Sequence, residues 1–170
     1  MIKKVLIIGL VILIVLTGII TSVIYIYNKE EGRFYKCRTN MRIILTAIGK
    51  YQQDNQGQSP PDLQQLLTKY INDPSILRCP CDKNKKSSYI YLTGLSSKSS
   101  VECIIIFENK LNHKNPQDGL LGHMVGFPDA EAEIFSERNF KSLVKMILDT
   151  DDLRNEYSKE SIKILENILK

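Results

Sequence analysis

Four cysteines (Cys37, Cys79, Cys81, Cys103) and two histidines (His113, His123) are the residues of this 170-residue chain whose types suit chemistry. No HExxH, GxSxG or glycine-rich phosphate loop accompanies them. A thiol nucleophile would need an imidazole base within hydrogen-bond reach, and Cys103 is the cysteine nearest to either histidine in sequence. But Cys103 lies in the apolar run Val101-Glu-Cys-Ile-Ile-Ile106, read as a strand core, where cysteine acts as a small hydrophobe. We therefore expect no catalytic residue. Cys79-Pro-Cys81 invites a zinc reading, yet zinc sites usually pair a C-x2-4-C with a second pair of ligands. The segment from His113 to Gly119, with Asp129 and Glu131, offers oxygens to a hard cation, but no D-x-D-x-D-G spacing occurs. The expectation is no metal and no cofactor, with His113 and Asp118 in a hydrated loop of ordinary turn chemistry.

What those residues do depends on the compartment they occupy, and one stretch decides that. Val5 to Tyr27 runs 23 residues without a charge. As a helix it reaches about 35 Å, enough for a hydrocarbon core of roughly 30 Å. A signal peptide would have an apolar region of about 7–15 residues ending at a small-x-small site. This run is longer, and Asn28-Lys-Glu-Glu31 after it offers no such site. Lys3 and Lys4 precede it without an acid, so the positive-inside tendency leaves the N-terminus in the cytoplasm and exports the rest. With Lys3 and Lys4 set aside, 21 basic residues face 19 acidic ones, too even a balance for nucleic acid to bind a charged face.

All four cysteines then lie on the exported side, where disulfides are the default and four cysteines allow three connectivities. We expect at least one bond, joining Cys37 to Cys79 or Cys81. It would close a loop of about 40 residues and contribute typically 2–4 kcal/mol.

Along the exported part, Phe34, Cys37, Met41, Ile44 or Leu45, Ile48 and Tyr51 recur at three- and four-residue steps. That spacing predicts a helix continuing from the anchor with one apolar stripe, Arg38, Arg42 and Lys50 lying off it. Gly32 is the place where a kink would be easiest, and Gln52 to Gly57 stops the helix. Ser59-Pro-Pro-Asp62 opens a short helix with stripe Leu63, Leu66, Leu67, Tyr70 and Ile71. Ser75 to Ser88 reads as loop. Tyr89–Leu92 and Val101–Phe107 have strand composition. Gly122–Phe127 and Glu131–Phe135 flank Pro128-Asp129-Ala130, a hairpin turn. Ser136 caps a helix with stripe Phe140, Leu143, Val144, Ile147 and Leu148. After Thr150-Asp-Asp152 a last helix carries Ile162, Leu165, Ile168 and Leu169. The fold class is α+β: a long N-terminal helix, its first half transmembrane, on a small antiparallel sheet, followed by C-terminal helices.

This order resembles type IV pilin-like proteins and pseudopilins. The resemblance is nearer to bacterial prepilin-type proteins that end in a His, nine residues, Asp-Gly motif. It is carried by Cys37-Arg-Thr-Asn40-Met41-Arg42, Tyr51-Gln-Gln-Asp54-Asn55-Gln-Gly57, Leu77-Arg-Cys79-Pro-Cys81-Asp82, Asn112-His113 and Val125-Gly-Phe127-Pro-Asp129, within residues 1 to 135. The chain departs from the pattern in three places. His113 and Asp129 are separated by 15 intervening residues, Ala130-Glu131 replaces Gly-His, and Gly9 is not followed by an acid at the fifth position, which is Ile14.

The resemblance implies a pilin-like domain. The expected organisation is a cytoplasmic tail (1–4), a transmembrane helix (5–27), a pilin-like extracytoplasmic domain (28–136) and a helical extension (137–170). The protein is then a single-pass, non-enzymatic assembly protein of the bacterial cytoplasmic membrane, its anchor retained. Its partners are the lipid bilayer and other pilin-like subunits or machinery of the type II secretion kind, the His113–Asp118 loop serving as recognition surface. A tethered periplasmic binding module that joins no filament is the alternative. A tethered hydrolase or thiol enzyme has only the cysteine and histidine content behind it.

Overall fold

The computed structural model describes every residue except Met1, Thr68, 83–87, Asn112, 115–118 and Leu120, so Asp118 lies outside the described residues. One helix, α1 (Ile2–Asp54), dominates it. Gly32 does not interrupt α1. A lone exposed glycine costs a helix about 1 kcal/mol, which good helix formers on both sides outweigh. The two halves of α1 live in different surroundings. Among the described side chains from Leu10 to Tyr27 the large apolar ones are exposed, and the helix from Ile12 onward holds a stretch long and apolar enough to cross a membrane. From Phe34 onward the expected stripe is buried: Phe34, Cys37, Met41, Ile44, Leu45 and Ile48 all enter the core.

The stripe packs on an open antiparallel sheet of five strands: β1 (Tyr89–Tyr91), β2 (Ile106–Glu108), β3 (His113–Lys114), β4 (Leu121–Gly126) and β5 (Ala132–Ser136). β4 is central. β5 lies along one of its edges from Gly122 to Gly126, so β2 (Ile106 opposite Gly126) and β3 (His113 opposite Gly122) must share the other edge. β1 pairs with the outer side of β2, Tyr89 opposite Glu108. At Gly126 the sheet comes so near α1 that an added Cβ would stand 2.9 Å from a methyl of Leu45. Arg38 and Arg42, expected off the stripe, reach the rim of β5: Arg38 Nε donates to the Ala132 carbonyl at 2.9 Å, and Arg42 pairs with Glu131.

Two expected elements are smaller than their sequence suggests. Leu63–Leu66 is a single 3-10 turn capped by Asp62, and the strand around Cys103 begins only at Ile106, residues 101–103 forming a turn. A second 3-10 turn, Pro74–Leu77, lies in the segment read as loop. The β4–β5 hairpin is where it was expected: Glu131 N–H donates to Asp129 Oδ1 at 3.0 Å, and Ala130 sits at φ +64°. A left-handed residue with a Cβ carries strain that glycine lacks. Ala130→Gly is therefore expected to stabilise the domain by about 0.5–1 kcal/mol, net of glycine's extra unfolded entropy. Urea titration checks this, and an unchanged or lower midpoint would contradict it.

Three helices complete the chain: α2 (Glu137–Asp149), α3 (Asp151–Arg154) and α4 (Lys159–Ile168). Ser136 caps α2 as expected, accepting from Asn139 N–H. Phe140, Val144, Ile147, Leu153 and Leu165 belong to the same core as α1 and the sheet. The whole is α+β with a pilin-like architecture: a long N-terminal helix on a small open sheet.

Candidate functional site

One turn above the start of the buried stripe, α1 places Cys37 against the sheet edge where β2 ends and β3 begins. Three other segments bring side chains to that point. Asn40 Nδ2 donates to the Arg78 carbonyl at 3.2 Å, which pins the segment after the second 3-10 turn onto α1 and delivers Cys79. β2 delivers Glu108 and β3 delivers His113. All four side chains are within 2% of complete burial.

Glu108 organises the cluster. Its Oε2 accepts the Met124 backbone N–H at 3.4 Å, while its own carbonyl faces His123 Nδ1 at 2.9 Å. That leaves Oε1 to accept from the Cys37 thiol at 3.2 Å and to face His113 Nε2 at 3.3 Å. Cys79 Sγ lies 3.1 Å from the same Nε2. Around this core, the Tyr89 hydroxyl is 3.2 Å from Cys37 Sγ and the Cys81 backbone N–H donates to Cys79 Sγ at 3.3 Å. Cys81 Sγ stands 3.6 Å from Nδ1 on the other side of the imidazole, and Phe34 meets the ring edge-on at 5.7 Å.

The electrostatics follow from these contacts. The hydrogen bond from Cys37 pulls the Cys79 thiol down to about 6, against its burial. Cys37 shifts the other way, far up, through that same bond and its burial. For His113 burial opposes the charge, but the bonds to Cys79 and Glu108 outweigh it and raise the imidazole to about 9. Burial pushes Glu108 up, but its bonds to His113, Cys79 and Cys37 and the charge of His113 together outweigh it and hold the carboxyl below the usual range. Burial pushes Cys81 up to about 12.

A nucleophile relay needs a base whose two ring nitrogens serve two partners, the nucleophile on one and the orienting carboxylate on the other. Here Cys79 and Glu108 both reach Nε2, and the thiol on the other nitrogen, Cys81 at 3.6 Å from Nδ1, is pushed up to about 12 by burial, away from the thiolate that a nucleophile needs. The donor atoms of Cys37, Cys79, Glu108 and His113 converge instead, all within 4.8 Å of one another. The open groove lined by Tyr51, Asp54, Gln65 and Tyr70 lies at the far end of α1 and includes none of them. No catalytic assignment follows.

The four cysteines are unbonded, their nearest pairs 3.5–4.5 Å apart, so the expected disulfide is absent. The expected proximity of Cys37 to Cys79 is real, but the two thiols face Glu108 and His113 rather than each other alone. Cys103 lies elsewhere, its thiol raised to about 11 by burial beside Tyr157. His113, expected in an exposed recognition loop, is buried because β3 pairs it with Gly122 beneath Phe34. Asp129 lies between β4 and β5, its Oδ1 accepting from Glu131 N–H at 3.0 Å. Glu108 carries no motif that assigns it a role from sequence. The one signal was its position, a carboxylate ending an apolar strand run that burial would otherwise forbid. Comparison with family models, with curated proteins and with solved structures gives no match, so the site stands on its own chemistry.

Proposed function

We propose that the chain is a membrane-anchored, non-enzymatic pilin-like protein whose domain stands outside the cytoplasmic membrane and engages other pilin-like subunits or secretion machinery. One observation carries this reading: a single unbroken helix is apolar in its first half and unburied there among the described side chains, and is the central core element of the domain in its second. Water would not tolerate so long an exposed apolar surface, whereas lipid and neighbouring helices would cover it. Within a bilayer, association rests on close packing and polar contacts between helices. Gly9 and Gly18 leave room for that, with nothing within 4 Å of an added Cβ.

A second reading, a tethered binding module that joins no filament, draws on the open groove among Tyr51, Asp54, Gln65 and Tyr70. Photo-crosslinking in native membranes separates the two. A crosslinker at Ile14 or Ile20 is expected to trap other single-pass helices, in discrete adducts. Lipid adducts alone would refute the assembly reading and leave the binding module. Protease added outside spheroplasts is expected to digest the domain, and full protection would overturn the orientation.

A further inference from the structure

We propose that Cys37, Cys79, Glu108 and His113 form a structural zinc site that staples the long helix to the sheet. The inference stands independently of whether the chain joins a filament. Tetrahedral zinc, with bonds of about 2.3 Å to sulfur and 2.0–2.2 Å to nitrogen or oxygen, holds its ligand atoms roughly 3.3–3.8 Å apart. The contacts among these donors begin at 3.1, 3.2 and 3.3 Å, and no pair exceeds 4.8 Å. Movements of a few tenths of an ångström to about an ångström bring all four onto one ion.

The donor set selects the metal. Two thiolates exclude magnesium and calcium, which want oxygen, and a carboxylate disfavours the soft monovalent copper ion. Two sulfurs, one nitrogen and one oxygen in a tetrahedron suit zinc. Charge points the same way. A dication that displaces the Cys37 thiol proton and the proton on His113 Nε2 would meet two thiolates and a carboxylate, and it leaves a single net negative charge in place of a costly buried trianion. That remainder meets two donors directed at the sulfurs, the Tyr89 hydroxyl on Cys37 and the Cys81 N–H on Cys79. His113 would bind through Nε2, with its Nδ1–H directed at Cys81 Sγ, the outer partner that fixes the tautomer of a ligating histidine. Four protein ligands, all buried, leave no open position, the arrangement of a structural site rather than a catalytic one.

The test uses the full-length chain in detergent, purified under reducing conditions with zinc sulfate and then freed of loose metal. One zinc per chain is expected, with X-ray absorption showing two sulfur and two nitrogen or oxygen neighbours. A strong chelator should lower the melting temperature by about 10 °C or more, because zinc that binds only the folded chain adds to its stability. Cobalt in place of zinc should give the visible bands of a tetrahedral ion and thiolate-to-cobalt charge transfer, readouts that do not depend on stability. Cys79→Ser and His113→Ala should abolish the stoichiometry. Cys81→Ser should keep it but weaken binding by about 10–100-fold, and Cys103→Ser should change nothing. Folded wild-type protein that takes up neither zinc nor cobalt would overturn the proposal. So would a Cys37–Cys79 disulfide, without zinc, in protein isolated from its membrane.

Discussion

Ile44→Asp is expected to leave the apolar half of α1 helical with no folded domain. Ile44 is completely buried at the middle of the α1 stripe. Truncation of such a residue to alanine costs about 2–5 kcal/mol through lost transfer energy and the cavity left behind. The aspartate adds several kcal/mol, because its carboxyl group would have to be buried among apolar neighbours or take up a proton there. Domain stabilities run about 5–15 kcal/mol, so the sum consumes most or all of what is available. Circular dichroism of detergent-solubilised protein should keep the helical signal of the anchor but lose the cooperative melt, and trypsin should remove the domain quickly. Ile43, one residue away and 38% exposed, provides the contrast. Ile43→Asp should cost no more than about 1 kcal/mol. If Ile44→Asp melted within a few degrees of the wild type, α1 would not be the element around which the domain folds.

Gly94→Ala comes next in size, for a different reason. Gly94 has φ +102°, a conformation that residues with a Cβ rarely adopt. An added Cβ would also stand 2.3 Å from Ser158 N, 2.7 Å from Tyr157 C and 2.9 Å from Glu156 O. All three are backbone atoms, so no side chain can swing aside. Relief requires the link between α3 and α4 to move away. That breaks the bond from Ser158 N to the Thr93 carbonyl (2.9 Å) and the bond from Thr93 N to Ser161 Oγ (2.7 Å). Backbone strain of about 1–3 kcal/mol and two lost hydrogen bonds at about 1 kcal/mol each give a loss of roughly 3–5 kcal/mol. Hydrogen exchange should show it first in Ser161 to Leu165. Unchanged protection there, with an unchanged melt, would mean that the C-terminal helices are appended to the domain rather than built into it.

Much of this fold was legible in the sequence because the controlling physics is local. The spacing from Phe34 to Ile48 depends only on helical geometry. Pro128-Asp129-Ala130 needs only turn chemistry, and Ser136 caps α2 with its own hydroxyl. The donor cluster was not legible in this way. Cys37, Cys79, Glu108 and His113 come from four segments, and they meet only because β2 and β3 share one edge of β4. A register slip of one residue in β3 would turn His113 to the opposite face. Read alone, His113 followed an asparagine and preceded a polar tract, which looks like an exposed loop. The same non-local dependence explains the expected disulfide: the proximity of Cys37 and Cys79 was readable, but not the carboxylate and imidazole beside them. The short helix at Leu63 was over-read because its stripe of leucines fits an α-helix as well as the 3-10 turn that forms.

The unbroken course of α1 through Gly32 makes it a mechanical shaft. Its 53 residues correspond to roughly 80 Å, and each residue turns the axis by about 100°. Gly18 in the anchor and Cys37 in the domain are therefore locked in angular phase, about 100° apart around the shaft. On the proposed reading, whatever direction the apolar half adopts in a membrane would dictate the compass bearing of the domain. One residue added between Tyr27 and Phe34 would swing the domain by about 100°, whereas seven would return it to within about 20° of its bearing. The stretch joining the apolar half to the domain is thus constrained in length by rotation.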